Sequence, residues 1–183
     1  MILRKLAEGA PEVDIITKLN FEAFPIEEHT ETDFIYDFEK DSLDLLGIYL
    51  KEAPEDFAGY FLCIKNEKTV YISYFAILPE KRNLGIGTKA LEALKEYYDG
   101  KQIVLYFESI FEECENIEQR KRRREFYMRN GFFETGWFIT VKGVNFEIVG
   151  SKKDFDLESY QKILDWIHAE IPTLDSYLYR LDK

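Results

Sequence analysis

The stretch from Thr69 to Leu94 constrains this chain more than any other. Val, Ile and aromatic residues fill Thr69 to Leu78 in the manner of a strand. Pro79 breaks the strand, and a basic loop, Glu80-Lys81-Arg82-Asn83-Leu84, leads into Gly85-Ile86-Gly87-Thr88. Ile86, Ala90, Leu91, Leu94 and Tyr98 then recur at helical spacing, and Gly100 stands where the helix should end. A glycine turn feeding a helix start presents unbonded backbone N–H groups at the positive end of the helix dipole. That arrangement suits phosphate. Glycine fits there because a Cβ would obstruct either the phosphate oxygens or the backbone angle of the turn. Lys81, Arg82 and Lys89 add positive charge.

The flanking sequence reads as a mixed α+β pattern. Ile2 to Leu6 is a short strand, and Glu12 to Phe24 a helix that Pro25 ends. A second helix is expected near Thr32 to Lys40. Strands follow over Leu45 to Lys51 and Asp56 to Lys65, so two or three strands run as an antiparallel meander before a helix intervenes. The unbroken apolar run Ile103 to Phe107, inside a strand Gln102 to Phe107, predicts a central strand covered on both faces. Ile117 to Arg129 reads as a helix stopped by Asn130-Gly131. Phe132 to Val141 and Val144 to Val149 read as a hairpin around Lys142-Gly143, and Leu157 to Ile167 as an amphipathic C-terminal helix. No repeat or linker divides the chain. One domain over residues 1–183 is expected, with a core over about 1–150 and a helical extension over 151–183.

Composition excludes several classes. A chain of 183 residues, 46 % hydrophobic with 15 Phe and 12 Tyr, can bury a core and is not disordered. The net charge of -11 disfavours nucleic acid as a partner. It is unevenly spread: residues 1–60 hold 15 acidic and 5 basic side chains, the remainder 20 and 19. An anionic ligand should prefer the later part and a cationic one the earlier part. Two cysteines without CxxC spacing suggest a reducing compartment, and two separated histidines make no metal site. No apolar run reaches the ~20 residues of a membrane helix. The N-terminal residues lack a leader pattern, so a cytoplasmic protein without a membrane partner is expected.

Gly85-Ile86-Gly87-Thr88-Lys89-Ala90 also matches the dinucleotide pattern GxGxxA, with Glu108 placed to pose as the ribose-binding acid. The intervening residues Pro79 to Leu84 argue against it, because the first glycine of that fold follows its strand almost directly. A plain helix connection with a solvated basic loop is the remaining structural alternative.

The fuller string Tyr74-Phe75-Ala76-Ile77-Leu78-Pro79-Glu80-Lys81-Arg82-Asn83-Leu84-Gly85-Ile86-Gly87 resembles motif A of the GNAT N-acetyltransferase superfamily, through Arg82-x-x-Gly85-x-Gly87. Phe126-Tyr127-Met128-Arg129-Asn130-Gly131-Phe132 resembles the later Tyr-x-x-x-Gly-Phe motif of the same family. The resemblance covers roughly residues 45 to 150. It implies a mostly antiparallel twisted sheet of about six to seven strands flanked by helices. It also implies acetyl-coenzyme A as co-substrate, with its pyrophosphate on the amides of Arg82, Asn83, Leu84, Gly85, Ile86, Gly87 and Thr88. The pantetheine arm would pair along Phe75, Ala76 and Ile77, on a strand that splays from its neighbour.

Acetyl transfer to an amine sets three tasks. The ammonium, with a pKa of ~10.4 for a lysine-like group, must lose a proton. The oxyanion needs a fixed donor, which the resemblance assigns to a backbone N–H near Ile77. The leaving thiolate needs a proton. By resemblance its donor is Tyr127, whose structural alternative is a core aromatic. Glu108 is the candidate base, on the face of Tyr106 if the strand continues, with water chains to Glu27, Glu28 or Glu147 as alternatives. Many family members carry Asn seven residues before the motif tyrosine, where this chain has Arg120. Asn116 is nearby but off that spacing. The run Arg120-Lys121-Arg122-Arg123-Arg124 reads as a solvated helix face pairing with Glu115, Glu118 and Glu125, or as a contact for the coenzyme 3′-phosphate. The expected activity is direct transfer from acetyl-coenzyme A to a primary amine of a small molecule or protein. A non-catalytic acyl-coenzyme A binding module and an interaction domain are the competing classes. The oligomeric state is left open, a homodimer included.

Overall fold

A computed structural model describes residues 1–23, 41–111 and 114–181. Among them eight strands and four α-helices follow in the order β1 (Ile2–Lys5), α1 (Glu12–Ala23), β2 (Leu43–Tyr49), β3 (Phe57–Lys65), β4 (Thr69–Ile77), α2 (Ile86–Tyr97), β5 (Gln102–Glu108), α3 (Ile117–Arg129), β6 (Phe133–Val141), β7 (Val144–Gly150), α4 (Leu157–Glu170) and β8 (Ser176–Tyr179). They form one sheet in the order β1-β2-β3-β4-β5-β7-β6-β8. The β1–β2, β2–β3, β5–β7, β6–β7 and β6–β8 pairs are antiparallel, and β4–β5 is parallel. The helix expected over Thr32 to Lys40 lies outside the described residues. Two compact units divide the chain, one of residues 1–65 and 72–99, the other of 66–71 and 100–183.

In the first unit, every residue of β2 and all but the last of β3 are buried. Strands covered on both faces show no polar alternation, which is why these sequences read as nearly continuous apolar runs. Helix α1 buries Ile16, Leu19 and Asn20, and α2 buries Ile86, Ala90, Leu91 and Leu94, one stripe each at the 3.6-residue period. Asp44 is the exception on β2, at 1 % exposure. Lys5 Nζ stands 2.7 Å from its Oδ1, while Lys65 Nζ (2.5 Å) and the Tyr98 hydroxyl (2.6 Å) donate to Oδ2. Burial works against the Asp44 charge, but the bonds from Lys5, Lys65 and Tyr98 outweigh it and hold its pKa below the usual carboxylate value. A carboxyl depressed in the folded state stabilises the protein above its unfolded pKa and loses that stabilisation as pH falls through the folded one. Asp44→Ala is therefore expected to cost about 3 kcal/mol at neutral pH, because it strands cations and a phenol. That loss should shrink in acid. Urea unfolding of both proteins at pH 7 and pH 3 measures it, and a pH-independent difference would contradict the assignment.

In the second unit, a polar network ties α4 to the starts of β4 and β5. Gln102 Nε2 donates to Thr69 Oγ1 and to the Asp156 carbonyl, each at 2.8 Å. The Thr69 hydroxyl donates to Ser159 Oγ (2.7 Å), and Asn66 Nδ2 donates to the Ser159 carbonyl (2.7 Å). Asp156 caps α4 by accepting the Ser159 N–H at 2.9 Å. The helical part of the C-terminal extension thus shares its polar contacts with the strands it follows. Two expectations are corrected here. Helix α4 continues to Glu170, past the expected end at Ile167. The sheet has eight strands rather than six to seven, because β8 adds to the outer edge of β6 in register Phe138↔Tyr179 to Val141↔Ser176.

Candidate active site

The first unit carries the glycine loop and the strand before it. The register of β2 on β3 runs Ile48↔Gly59 and then Tyr49↔Phe57, so Ala58 bulges. Leu78 N–H donates to the Ala58 carbonyl at 2.9 Å. Backbone groups alternate sides along a strand, so the N–H of Ile77 and that of Phe75 point away from β3. The β4–β5 ladder covers Thr69↔Gln102 to Tyr71↔Val104 and ends there, well before Phe75.

Gly59 fixes how closely β3 approaches this segment. A Cβ on Gly59 would lie 2.2 Å from the Ala76 carbonyl oxygen and 2.9 Å from Ile77 Cα. Both are backbone atoms, so β4 itself would have to move. Gly59→Ala is expected to cost about 3 kcal/mol, or ~6–12 °C in Tm for a chain of this size. Thermal unfolding followed by circular dichroism measures it, and a wild-type Tm would contradict the close approach.

A short 3-10 turn, Pro79–Lys81, follows β4. Lys81 pairs with Asp56, so its charge is spent on the scaffold rather than offered to a ligand. Arg82 Nε donates to the Ile77 carbonyl at 3.0 Å and folds the loop back over the strand end. Asn83 (φ 62°) and Gly85 (φ 74°) are left-handed. A Cβ on Gly85 would meet nothing within 4 Å, so the backbone angle, rather than bulk, is what asks for glycine there. Helix α2 begins at Ile86 with no side-chain cap, and Lys89 N–H to the Gly85 carbonyl (3.2 Å) is its first bond. Among the described residues, no acceptor is recorded for the amides of Asn83, Leu84, Gly85, Ile86, Gly87 and Thr88. These donors precede and open a twelve-residue helix at its positive end, which is the chemistry of an anion cradle.

Tyr127 and Glu108 belong to the second unit. Tyr127, on α3, lies parallel to Phe107 of β5 (centroids 5.7 Å, planes 1° apart), with Phe126 (5.2 Å) and Phe132 (5.7 Å) edge-on. Burial among these rings pushes its phenol up to about 12, against the opposing pull of Arg123. Among the described residues its hydroxyl has no hydrogen-bond partner. Tyr127 is therefore a protonated, unengaged phenol at neutral pH.

Glu108 ends β5 with both oxygens engaged, Oε1 by Arg120 (3.0 Å) and Oε2 by Arg123 (3.1 Å). Glu147, at 4 % exposure, is gripped by Arg124 through Nε (2.9 Å) and Nη2 (3.3 Å), and Arg124 also holds Glu134. Glu27 and Glu28 lie outside the described residues. Arg120, in the family's Asn position, donates to Asn116 Oδ1 (2.9 Å) and to the Ser109 carbonyl (3.0 Å) and forms an ion pair with Glu108. The basic run is thus neutralised mainly by strand carboxylates, and among the described residues Lys121–Glu118 (2.9 Å) is the expected within-helix ion pair that forms. Sequence spacing carries no signal for the others, since Glu108, Glu134 and Glu147 come near α3 only through the β5-β7-β6 pairing.

The described residues hold no group of three metal-ligating side chains, and no helix among them is long and apolar enough to cross a membrane. Burial raises the pKa of the Cys63 thiol, which leaves it unreactive.

A sequence profile of the Acetyltransferase (GNAT) family matches residues 13–132. The chain belongs to the GNAT acetyltransferase family. Solved structures agree on the fold. A putative GNAT-family acetyltransferase from Bacteroides thetaiotaomicron is 23 % identical with a TM-score of 0.74, covering 93 % of this chain and 98 % of its own. An aminoglycoside 6'-N-acetyltransferase complexed with coenzyme A is 13 % identical (TM-score 0.62, coverage 82 % and 96 %). A spermidine N-acetyltransferase chimera from Vibrio cholerae is 16 % identical (TM-score 0.59, coverage 90 % and 99 %). No curated protein matches the sequence.

Proposed function

We propose that this GNAT protein transfers the acetyl group of acetyl-coenzyme A directly to a primary amine. The observation that carries the reading is the row of unbonded amides from Asn83 to Thr88 at the start of α2, with left-handed Gly85 at its centre. Those amides and Arg82 hold the pyrophosphate. Phe75, Ala76 and Ile77 run beside the pantetheine arm, and the outward N–H of Phe75 pairs with one of its amides as an added strand would, which leaves the Ile77 N–H for the acetyl carbonyl.

The amine reaches the site as the free base, its proton passed to water. Its nitrogen attacks the thioester carbonyl, and the oxyanion settles on the Ile77 N–H. Collapse breaks the C–S bond. The thiolate takes the phenolic proton of Tyr127, and the new ammonium returns a proton to the phenolate through water. The products are the N-acetylated amine and the free thiol of coenzyme A, with no covalent enzyme intermediate.

Two observations bear on the acceptor. The first sixty residues are strongly acidic, and named neighbours in fold are aminoglycoside and spermidine acetyltransferases. Both favour a cationic amine, of a small molecule or a protein. The test is release of free thiol from acetyl-coenzyme A across a panel of polyamines, aminoglycosides and peptides with free N-termini. Turnover with at least one cationic amine is expected. Saturable cofactor binding without turnover on any of them would contradict the enzymatic reading.

A further inference from the structure

Glu108 of β5 pairs with Arg123 of α3, four residues before Tyr127 on the same helix, and the pairing assigns them a different task from proton abstraction. Each Glu108 oxygen already faces a guanidinium: Arg120 ion-pairs with one at 3.0 Å, and Arg123 donates to the other at 3.1 Å. A carboxylate so engaged presents no free oxygen to an ammonium unless an arginine lets go. Two guanidiniums on one carboxylate also leave a cluster of net charge +1. Arg123 precedes Tyr127 by one helical turn, on the same face of α3. Phe107, adjacent to Glu108, lies flat on the Tyr127 ring. Strand β5 therefore fixes the ring through Phe107 and the guanidinium through Glu108. The other rings on Tyr127, Phe126 and Phe132, carry no charge. The positive charge of Arg123 opposes the rise that burial imposes on the phenol.

We propose that Arg123 is a positioning residue for the proton donor, holding positive charge beside the Tyr127 oxygen as it becomes a phenolate, and that Glu108 is its anchor rather than the base. The inference rests on the assignment of Tyr127 as the donor. Giving up the phenolic proton creates an anion among three phenylalanine rings, where burial disfavours it. The guanidinium offsets that cost when the O–H bond breaks, which is also when the thiolate takes the proton. The neutral phenol gains little from the charge, so the contribution falls on the transition state rather than on binding.

Arg123 is 40 % exposed, so Arg123→Gln should fold normally. Two measurements test the proposal. In protein labelled with fluorotyrosine, which titrates lower than tyrosine, the Tyr127 fluorine signal is followed against pH. Arg123→Gln should raise its midpoint by about half a pH unit or more, and Arg123→Lys should largely restore it. An unchanged midpoint overturns the proposal whatever the activity. In steady-state kinetics, Arg123→Gln should lower kcat about tenfold with KM for acetyl-coenzyme A nearly unchanged. In a Tyr127→Phe background, Arg123→Gln and Glu108→Gln should each change kcat by less than about twofold. Full-sized effects in that background overturn the proposal, and for Glu108 they restore the base role. A shifted midpoint in a wild type that turns over no amine would instead sink the acetyl-transfer reading, leaving the electrostatic contact standing.

Discussion

Tyr127→Phe should lower kcat by about 10²–10³ while leaving the dissociation constant for acetyl-coenzyme A within about twofold of wild type. The substitution deletes one hydroxyl with no recorded partner among the described residues, so no hydrogen bond is broken and no acceptor is stranded. The ring stays parallel to Phe107 and edge-on to Phe126 and Phe132. Stability should therefore change by less than about 1 kcal/mol. The whole effect should fall on thiolate departure, which then relies on water for its proton. Steady-state kinetics beside a calorimetric titration separate the two terms. A large loss of affinity, or an unchanged kcat, would return Tyr127 to the role of a core aromatic.

Gly85→Glu has the larger expected effect on binding. Gly85 sits at φ 74°, a region that costs a residue with a Cβ about 1–2 kcal/mol. A Cβ there meets nothing within 4 Å, so beyond the backbone angle the cost comes from a carboxylate placed next to the amides of Ile86, Gly87 and Thr88. That carboxylate could accept from those donors itself and would repel a pyrophosphate. Strain, competition and repulsion act in the same direction, and affinity for acetyl-coenzyme A should fall at least about 100-fold. Gly85→Ala carries the strain without the charge and should lose far less, roughly tenfold.

The sequence was most legible where local chemistry decides structure. Gly85 declares its turn because few other residues adopt its backbone angle, and Ile86, Ala90, Leu91 and Leu94 declare α2 by their period. The apolar run of β5 foretells its burial for the same reason. What stays hidden depends on partners distant in sequence. The four-residue strand Ser-Tyr-Leu-Tyr is too short to show alternation, and it becomes β8 because the edge of β6 has backbone groups to satisfy. Helix α3 looks like a solvated basic helix by composition, yet Arg120, Arg123 and Arg124 are placed by Glu108, Glu134 and Glu147. Lys81 reads as added positive charge in the loop, but Asp56 pairs with it. Gly59 gives no sign of its importance in sequence, since the need for it arises from the Ala76 carbonyl of the neighbouring strand.

The central claim is that the amides from Asn83 to Thr88 form a coenzyme A cradle. Isothermal titration of acetyl-coenzyme A into wild type and Gly85→Glu tests it most directly. The account predicts one saturable site in the wild type and a loss of at least about 100-fold in the variant, with both proteins folded by circular dichroism. No binding to the wild type, or equal binding to the two, would contradict it.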